Sequence, residues 1–183
     1  MNNNEKQWNA LKEHFDNRGA DGAAVVAAFK EVYSMYTDMI PAWLAGLYDH
    51  KTGGFYYSNS ARDNEPFLPD IESTNQALNL LMNSGMISSF EQLPKAMRDK
   101  MAEFVCSRLD PDDGYIYHPQ WGKDIVDSRR GRDLNWTVGI LKQFGVEPKC
   151  KTAYQRLEEA NAVKSDEGKE AIAIFNEKGE EMK

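Results

Sequence analysis

The spacing of apolar residues along this chain predicts helices almost throughout. A short stripe from Trp8 to Phe15 marks the first helix, and a longer stripe from Val25 to Ile40 marks the second. This second stripe stops at Pro41, whose ring fits the start of a helix better than its interior. Residues 42–48 are therefore predicted to form a separate short helix, and the chain to be all-α.

Three further helices are predicted after position 70, and each has recognisable signals at its ends. One covers residues 73–84, with a capping box of Ser73 and Gln76 at its start and Gly85 as the residue that ends it. The other two run from the Ser89–Gln92 capping box to Leu109, and over residues 134–144 between Asp133 as N-cap and Gly145.

Two long segments lack a helical period. The first follows the turn Asp49–Gly54 and reaches Asp70, with a strand-like start at Phe55–Tyr57. The second is Asp110–Arg132. Glycine, aspartate and aromatic residues are frequent in both, so we expect ordered loops.

These elements form a duplicated unit of helix, loop and helix at an offset of sixty residues. Gly54-Phe55-Tyr56-Tyr57 recurs as Gly114-Tyr115-Ile116-Tyr117, and Gly85 recurs as Gly145. Repeated units usually stack because neither copy buries its apolar face alone. We expect a single helical-repeat domain over residues 1–183. Its parts are a first copy at about 40–85, a second copy at about 100–145, and a peripheral helical tail at 146–183.

The tail is predicted to contain a polar helix over Thr152–Ala162. A further helix is predicted after Ser165, with Ala171, Ile172, Ile174 and Phe175 on it.

Composition narrows the range of binding partners and cofactors that are expected for this chain. The net charge of −7 argues against nucleic acid as a partner, and no apolar run has the length of a membrane span or a signal peptide, so a cytoplasmic location is expected. Cys106 and Cys150 have no second thiol or histidine at metal-site spacing and are expected to be free thiols. The glycines form no phosphate-binding loop. No metal or cofactor is therefore expected.

Part of the chain resembles a known superfamily. The turn Gly53-Gly54-Phe55 and the segment Asp70-Ile71-Glu72-Ser73-Thr74-Asn75-Gln76-Ala77-Leu78 look like repeats of the α/α-toroid superfamily, which includes terpenoid cyclases and protein prenyltransferases. Similar barrels occur in carbohydrate-active enzymes. The resemblance covers roughly residues 40–145 and implies stacked helical hairpins. Two clear copies are too few to close such a barrel, so it implies an open or N-terminal portion that would need a further helical-repeat domain or a second copy as partner.

Asp110-Pro111-Asp112-Asp113 matches the acid motif of class II terpenoid cyclases. In that family a carboxyl kept protonated by its neighbours delivers a proton to an alkene or epoxide, which requires an enclosed site. The resemblance therefore implies isoprenoid chemistry at Asp110, Asp112 and Asp113 as one alternative. Asp, Pro and Gly in this order also mark an ordinary solvated turn, and this interpretation is the stronger one.

A second set of polar residues would meet if the two loops emerge at the same end of the stack. Aromatic faces beside carboxylates and guanidinium groups suit a sugar ring, and glycoside cleavage requires one carboxyl as acid and another as base. The candidate catalytic residues are Asp70, Glu72, Asp124 and Asp133. The candidate ligand-binding residues are Tyr57, Arg62, His118, Trp121, Arg130 and Arg132.

The competing structural interpretation is that these charges pair with one another and that the rings only fill space between helices. Three functions follow from the residues and the resemblance. They are binding and processing of a carbohydrate or another polar cyclic ligand, isoprenoid chemistry, and a non-catalytic interaction scaffold or part of a larger enzyme.

Overall fold

The computed structural model describes residues 3–162, 164 and 165, and these are mostly helical, with no strand among them. The α-helices in chain order are α1 (Asn3–Asp16), α2 (Gly22–Ser34), α3 (Met39–Leu47), α4 (Asn59–Arg62), α5 (Ile71–Asn83), α6 (Lys95–Ser107) and α7 (Asp127–Phe144). A short 3₁₀-helix covers Phe90–Gln92, and residues 153–162 are helical. The predicted all-α class is confirmed.

Several helix boundaries differ from those predicted. α3 begins at Met39, so Pro41 lies in its first turn, where a missing N–H costs little. The predicted capping box at Ser89 and Gln92 is wrong, because this stretch forms the 3₁₀-helix and α6 starts only after Pro94. The predicted strand-like start at Phe55 is reduced to isolated bridges from Phe55 to Tyr48 and Asp70.

The core lies where α5 and α6 each pack against α7. Phe55 of the first loop, Phe104 of α6 and Leu134 of α7 are among its fully buried side chains. The burial pattern of α5 recurs in α7 sixty residues later, in the pairs Ser73 and Asp133, Thr74 and Leu134, and Ala77 and Thr137. The duplication is therefore also seen in the positions that are buried on α5 and α7.

The turn that opens each loop has the same geometry in both copies. The Gly53 N–H donates to the Asp49 carbonyl oxygen at 2.7 Å, and the Gly114 N–H donates to the Asp110 carbonyl oxygen at 2.8 Å. Both glycines have positive φ, at 93° and 76°. Gly114 is therefore the counterpart of Gly53, and the predicted match to Gly54 is wrong by one residue. The loops repeat at sixty-one residues and the helices after them at sixty.

Each of these glycines contacts the helix that follows in the stack. A Cβ on Gly53 would lie 2.3 Å from the Lys100 carbonyl oxygen of α6. A Cβ on Gly114 would lie 2.5 Å from the carbonyl oxygen of Lys151, just before the helical residues 153–162. Thr152 caps that helix by exchanging hydrogen bonds with Gln155. The absence of a side chain at both glycines lets successive units approach closely.

The first two helices form a hairpin of their own. α1 packs against α2, and the Trp8 and Tyr33 rings meet edge to face at 5.8 Å. Phe29, Val32 and Tyr33 of α2 remain exposed.

The tail is described only in part. The predicted helix over 152–162 is confirmed for residues 153–162, whereas the predicted helix carrying Ala171–Phe175 lies outside the described residues. Cys106 and Cys150 are free thiols, as expected.

Candidate functional site

The two loops meet at one end of the helices, as the repeat predicts. Asp70 ends the first loop, residues 48–70, and its Oδ2 atom lies 3.7 Å from Nε2 of His118 in the second loop, residues 109–126. Arg132 of α7 donates a hydrogen bond from an Nη atom to Glu72 Oε2 at 2.7 Å. These two residues are sixty positions apart, which is the offset at which the helices repeat. The Asp70–His118 contact confirms the prediction that the two loops lie side by side, and the Glu72–Arg132 pair joins the starts of the helices that follow them.

A cavity of about 770 Å³ opens between the loops, and we call it the rim cavity. Fourteen residues line it: Tyr57, Ser58, Ser60, Ala61, Asn64, Glu65, Phe67, Leu68, Asp70, Glu72, His118, Gln120, Trp121 and Arg129. Its volume is within the range of about 300–1,000 Å³ that is usual for small-molecule sites.

Asp70 reaches the cavity because it is the N-cap of α5. Its Oδ1 accepts a hydrogen bond from the Ser73 N–H at 2.7 Å, and its Oδ2 accepts one from the Ser73 hydroxyl at 2.9 Å. Ser73 was predicted to be the cap and is instead the third residue of the helix. The Asp70 carboxylate is therefore held in place by the helix start, and its position depends on Ser73.

His118 is held by a hydrogen bond at one ring nitrogen. Its Nδ1 accepts from the Gln120 N–H at 3.3 Å, and its Nε2 faces Oδ2 of Asp70 at 3.7 Å, beyond hydrogen-bond distance. With Nδ1 as the acceptor, the neutral ring carries its proton on Nε2. A general base needs a free lone pair, so the contacts favour a positioning or ligand-contacting role for His118.

The two predicted stacking rings have different surroundings. His118 stacks on Trp121 with ring centroids 4.1 Å apart, and the guanidinium of Arg129 lies 4.5 Å from the Trp121 ring centroid. Tyr57 is 74% exposed, and no other described aromatic ring stacks on it. Tyr57 therefore offers the open ring face, whereas Trp121 supports His118 and Arg129.

Among the predicted site residues, Asp133 has the position that differs most from the predicted one. It lies inside α7, which begins at Asp127, so it is not an N-cap. Its side chain is only 2% exposed, it does not line the rim cavity, and its Oδ1 lies 3.7 Å from Nε of Arg132 without a hydrogen-bond partner among the described residues. Burial raises the pKa of this carboxyl, partly offset by Arg132.

The raised pKa of Asp133 predicts a pH-dependent stability. The folded chain holds a proton on this carboxyl more tightly than the unfolded chain, so the stability contribution falls as the pH rises above the ordinary value of 3.8. We expect Asp133→Asn to raise the melting temperature by about 2–4 °C at pH 7, the shift for about 1 kcal/mol in a chain of this size. The difference from the unsubstituted protein should shrink as the pH falls toward 4, as followed by thermal unfolding.

Asp124→Asn is the matched control, because Asp124 is exposed. It should change the melting temperature little at either pH. A lower melting temperature for Asp133→Asn at neutral pH would contradict the assigned burial penalty.

Five predicted site residues lie outside the rim cavity, namely Arg62, Asp124, Arg130, Arg132 and Asp133. Arg62 pairs with Asp63 at 2.7 Å and donates to the Gly46 carbonyl oxygen at 2.9 Å, which ties α4 to α3. Arg130 pairs with Asp127 at 2.8 Å. Asp124 is exposed and absent from the cavity wall.

The Asp110–Asp113 segment is a hydrogen-bonded turn. Asp110 Oδ1 accepts from the Asp112 N–H at 2.8 Å, and its other oxygen pairs with Lys123 at 2.9 Å, a contact that lowers the pKa of Asp110. Asp113 accepts hydrogen bonds from the Tyr115 N–H and the Tyr117 hydroxyl. Asp112 is exposed. An exposed carboxyl in a turn lacks the enclosure that alkene protonation requires, so the geometry favours the turn interpretation.

Some residues of the cavity wall carry no sequence signal of a site. Phe67 and Leu68 are exposed apolar residues within a polar loop, between Pro66 and Pro69. This apolar pair flanked by prolines is the one sequence feature that indicates an ordered binding surface in the first loop. Ser58 and Ser60 also line the cavity, as the N-cap and a residue of the short helix α4, and that helix was not predicted.

Comparison with known proteins adds no relative. No protein-family model, curated protein or solved structure matches this chain. Among the described residues, none of the helices combines the length and apolar character of a membrane span. No cluster of three or more carboxylate, imidazole or thiol side chains suited to a metal ion is present in that part of the chain.

Proposed function

We propose that this chain is a helical-repeat domain of the α/α-toroid type that binds a carbohydrate in the rim cavity. The observation that carries the proposal is the cavity wall, where the open ring of Tyr57 stands beside the carboxylates of Asp70 and Glu72. A sugar presents apolar C–H faces to an aromatic ring and hydroxyl donors to carboxylate oxygens.

The carboxylates of the cavity wall are held in place and can still accept hydrogen bonds. Glu72 is paired with Arg132, and Asp70 accepts hydrogen bonds from Ser73, and each carboxylate has further acceptor positions for hydroxyl groups. Arg129 adds a cation at the edge of the cavity, which suits a sugar carrying a carboxylate as well as neutral sugars.

The toroid type is supported by the two equivalent turns, by the pairing of α5 with α7 and by the close contact of each turn with the next helix. In such a stack the loops of successive units share one end, and a site built from them needs at least two units.

Tyr57 provides the direct test of binding. A Tyr57→Ala variant should lose about tenfold or more in affinity for the tightest ligand from an array of neutral and uronic-acid-containing oligosaccharides, measured by titration calorimetry. Tyr57 is exposed, so the variant should keep its melting temperature. Tyr154→Ala, on the helical residues 153–162 and outside the rim cavity, is the control and should bind normally.

The proposal would be overturned if no member of the array binds, or if Tyr57→Ala and Tyr154→Ala bind equally well. Processing of the ligand is the catalytic extension of the same site, with Glu72 and Asp70 as the two carboxyls that line it. Cleavage products that appear with the unsubstituted protein and disappear with Glu72→Gln would establish this extension.

A scaffold role is the second candidate, and the exposed apolar side chains of α2 favour it. Phe29, Val32 and Tyr33 lie on one helix that contacts mainly α1. Exposed apolar clusters often mark protein interfaces. A further helical-repeat domain or a second copy of this chain would fit this surface, and the molar mass in solution tests the second of these.

A further inference from the structure

A second cavity adjoins the rim cavity and shares two of its wall residues. It has a volume of about 330 Å³ and lies between α3 and α5. Tyr57 and Glu72 belong to both cavities, so they form the boundary between them. We call the smaller cavity the α3 cavity.

The chemistry of the α3 cavity repeats that of the rim cavity. Trp43 of α3 is 42% exposed, and no other described aromatic ring stacks on it. Gln76 is exposed on the α5 side, one helical turn beyond Glu72. A partly exposed indole ring is thus combined with amide and carboxylate hydrogen-bonding groups.

The floor of the α3 cavity is part of the core. Leu44, Leu47 and Phe55 line it and are almost completely buried. A floor built from close-packed core residues keeps its shape, so the cavity does not depend on mobile side chains alone. Its volume is less than half that of the rim cavity, so it suits a smaller part of the ligand.

We infer that the α3 cavity is a second subsite for the carbohydrate of the rim cavity, which makes the ligand an oligosaccharide of at least two rings. This inference rests on the proposed function. One ring contacts Tyr57 in the rim cavity, the next ring stacks on Trp43, and Glu72 accepts hydroxyl hydrogen bonds at the junction. Trp43 is then a determinant of ligand length.

The test uses a series of oligosaccharides. The longest is the array member that binds most tightly, and the others are its shorter fragments, down to the single sugar. In titration calorimetry the unsubstituted protein should bind the longest form about tenfold or more tightly than the single sugar. Trp43→Leu, which keeps an apolar side chain on α3, should lose most of this gain and leave single-sugar affinity unchanged. Trp43→Phe, which keeps a ring, should retain part of the gain.

Trp8→Leu is the matched control, because Trp8 lies on the α1–α2 hairpin outside both cavities, and it should bind the whole series normally. Equal affinity of Trp43→Leu and the unsubstituted protein for the longest form would overturn the second subsite while leaving the rim cavity intact. An array without any binder would instead overturn the proposed function. If Trp43→Leu has a lowered melting temperature, Gln76→Ala decides the matter, since it should weaken the longest form severalfold and spare the single sugar.

Discussion

Replacing Gly53 with alanine is expected to lower the free energy of unfolding by about 3 kcal/mol. The positive φ of 93° costs a side-chain-bearing residue about 1 kcal/mol. The added Cβ would also lie 2.3 Å from the Lys100 carbonyl oxygen, and relieving such a clash typically costs about 1–3 kcal/mol. Thermal unfolding should show a melting temperature lower by roughly 6–12 °C, since each kcal/mol corresponds to about 2–4 °C in a chain of this size.

A Gly85→Ala variant separates the cost of backbone strain from the cost of the steric clash. Gly85 also has positive φ, at 76°, but no described atom lies within 4 Å of the position of its Cβ. We therefore expect a loss of about 1 kcal/mol, from backbone strain alone. Similar losses for both variants would show that the contact between the first loop and α6 is looser than described. The comparison thus measures how tightly successive units are packed.

Replacing Thr74 with valine is expected to lower the free energy of unfolding by about 2 kcal/mol, although valine has nearly the same shape. The Thr74 hydroxyl accepts from the Phe55 N–H at 3.0 Å and donates to the Asp70 carbonyl oxygen at 2.7 Å. Valine would leave the buried Phe55 N–H without a partner, and an unpaired buried group costs about 1–3 kcal/mol. Chemical denaturation should show an earlier midpoint with an unchanged slope.

Thr137 offers the matched control. It is as fully buried as Thr74, and its hydroxyl has no hydrogen-bond partner among the described residues. Thr137→Val should therefore leave the stability unchanged or raise it slightly, because it removes an unpaired polar group from the core. Equal destabilisation by both substitutions would mean that the hydroxyl contacts of Thr74 do not account for its effect. Because Thr74 connects the first loop to α5, its loss should also weaken ligand binding at the rim cavity.

Much of the site could be predicted because its signals are local or periodic. The repeat of glycine-led loops predicted that Asp70 and Glu72 would lie near His118 and Arg132, and the contacts between these pairs confirm it. Equivalent connections in stacked units lie at the same end. Tyr57 and Trp121, which were predicted to lie on the same rim, both line the rim cavity.

Other assignments depend on the direction a side chain takes and on which neighbour it contacts, even where that neighbour is close in sequence. Whether an aromatic ring has a free face is decided by its neighbours, and Trp121 contacts His118 and Arg129 whereas Tyr57 is 74% exposed. The side chains of Arg62 and Arg130 lie outside the cavity because nearby carboxylates of Asp63 and Asp127 pair with them. Long charged side chains reach several alternative partners, so sequence position alone does not determine their direction.

The sequence by itself determined the helical class, the duplicated unit and the glycine that ends each of the helices α5 and α7. These features follow from periodicity and from backbone conformations that few residues other than glycine adopt readily. Only the tertiary structure decided that Asp70 is a cap and that Asp133 is buried within α7. Caps and burial depend on where a helix begins relative to its neighbours, and packing against α5, α6 and the loops sets that start.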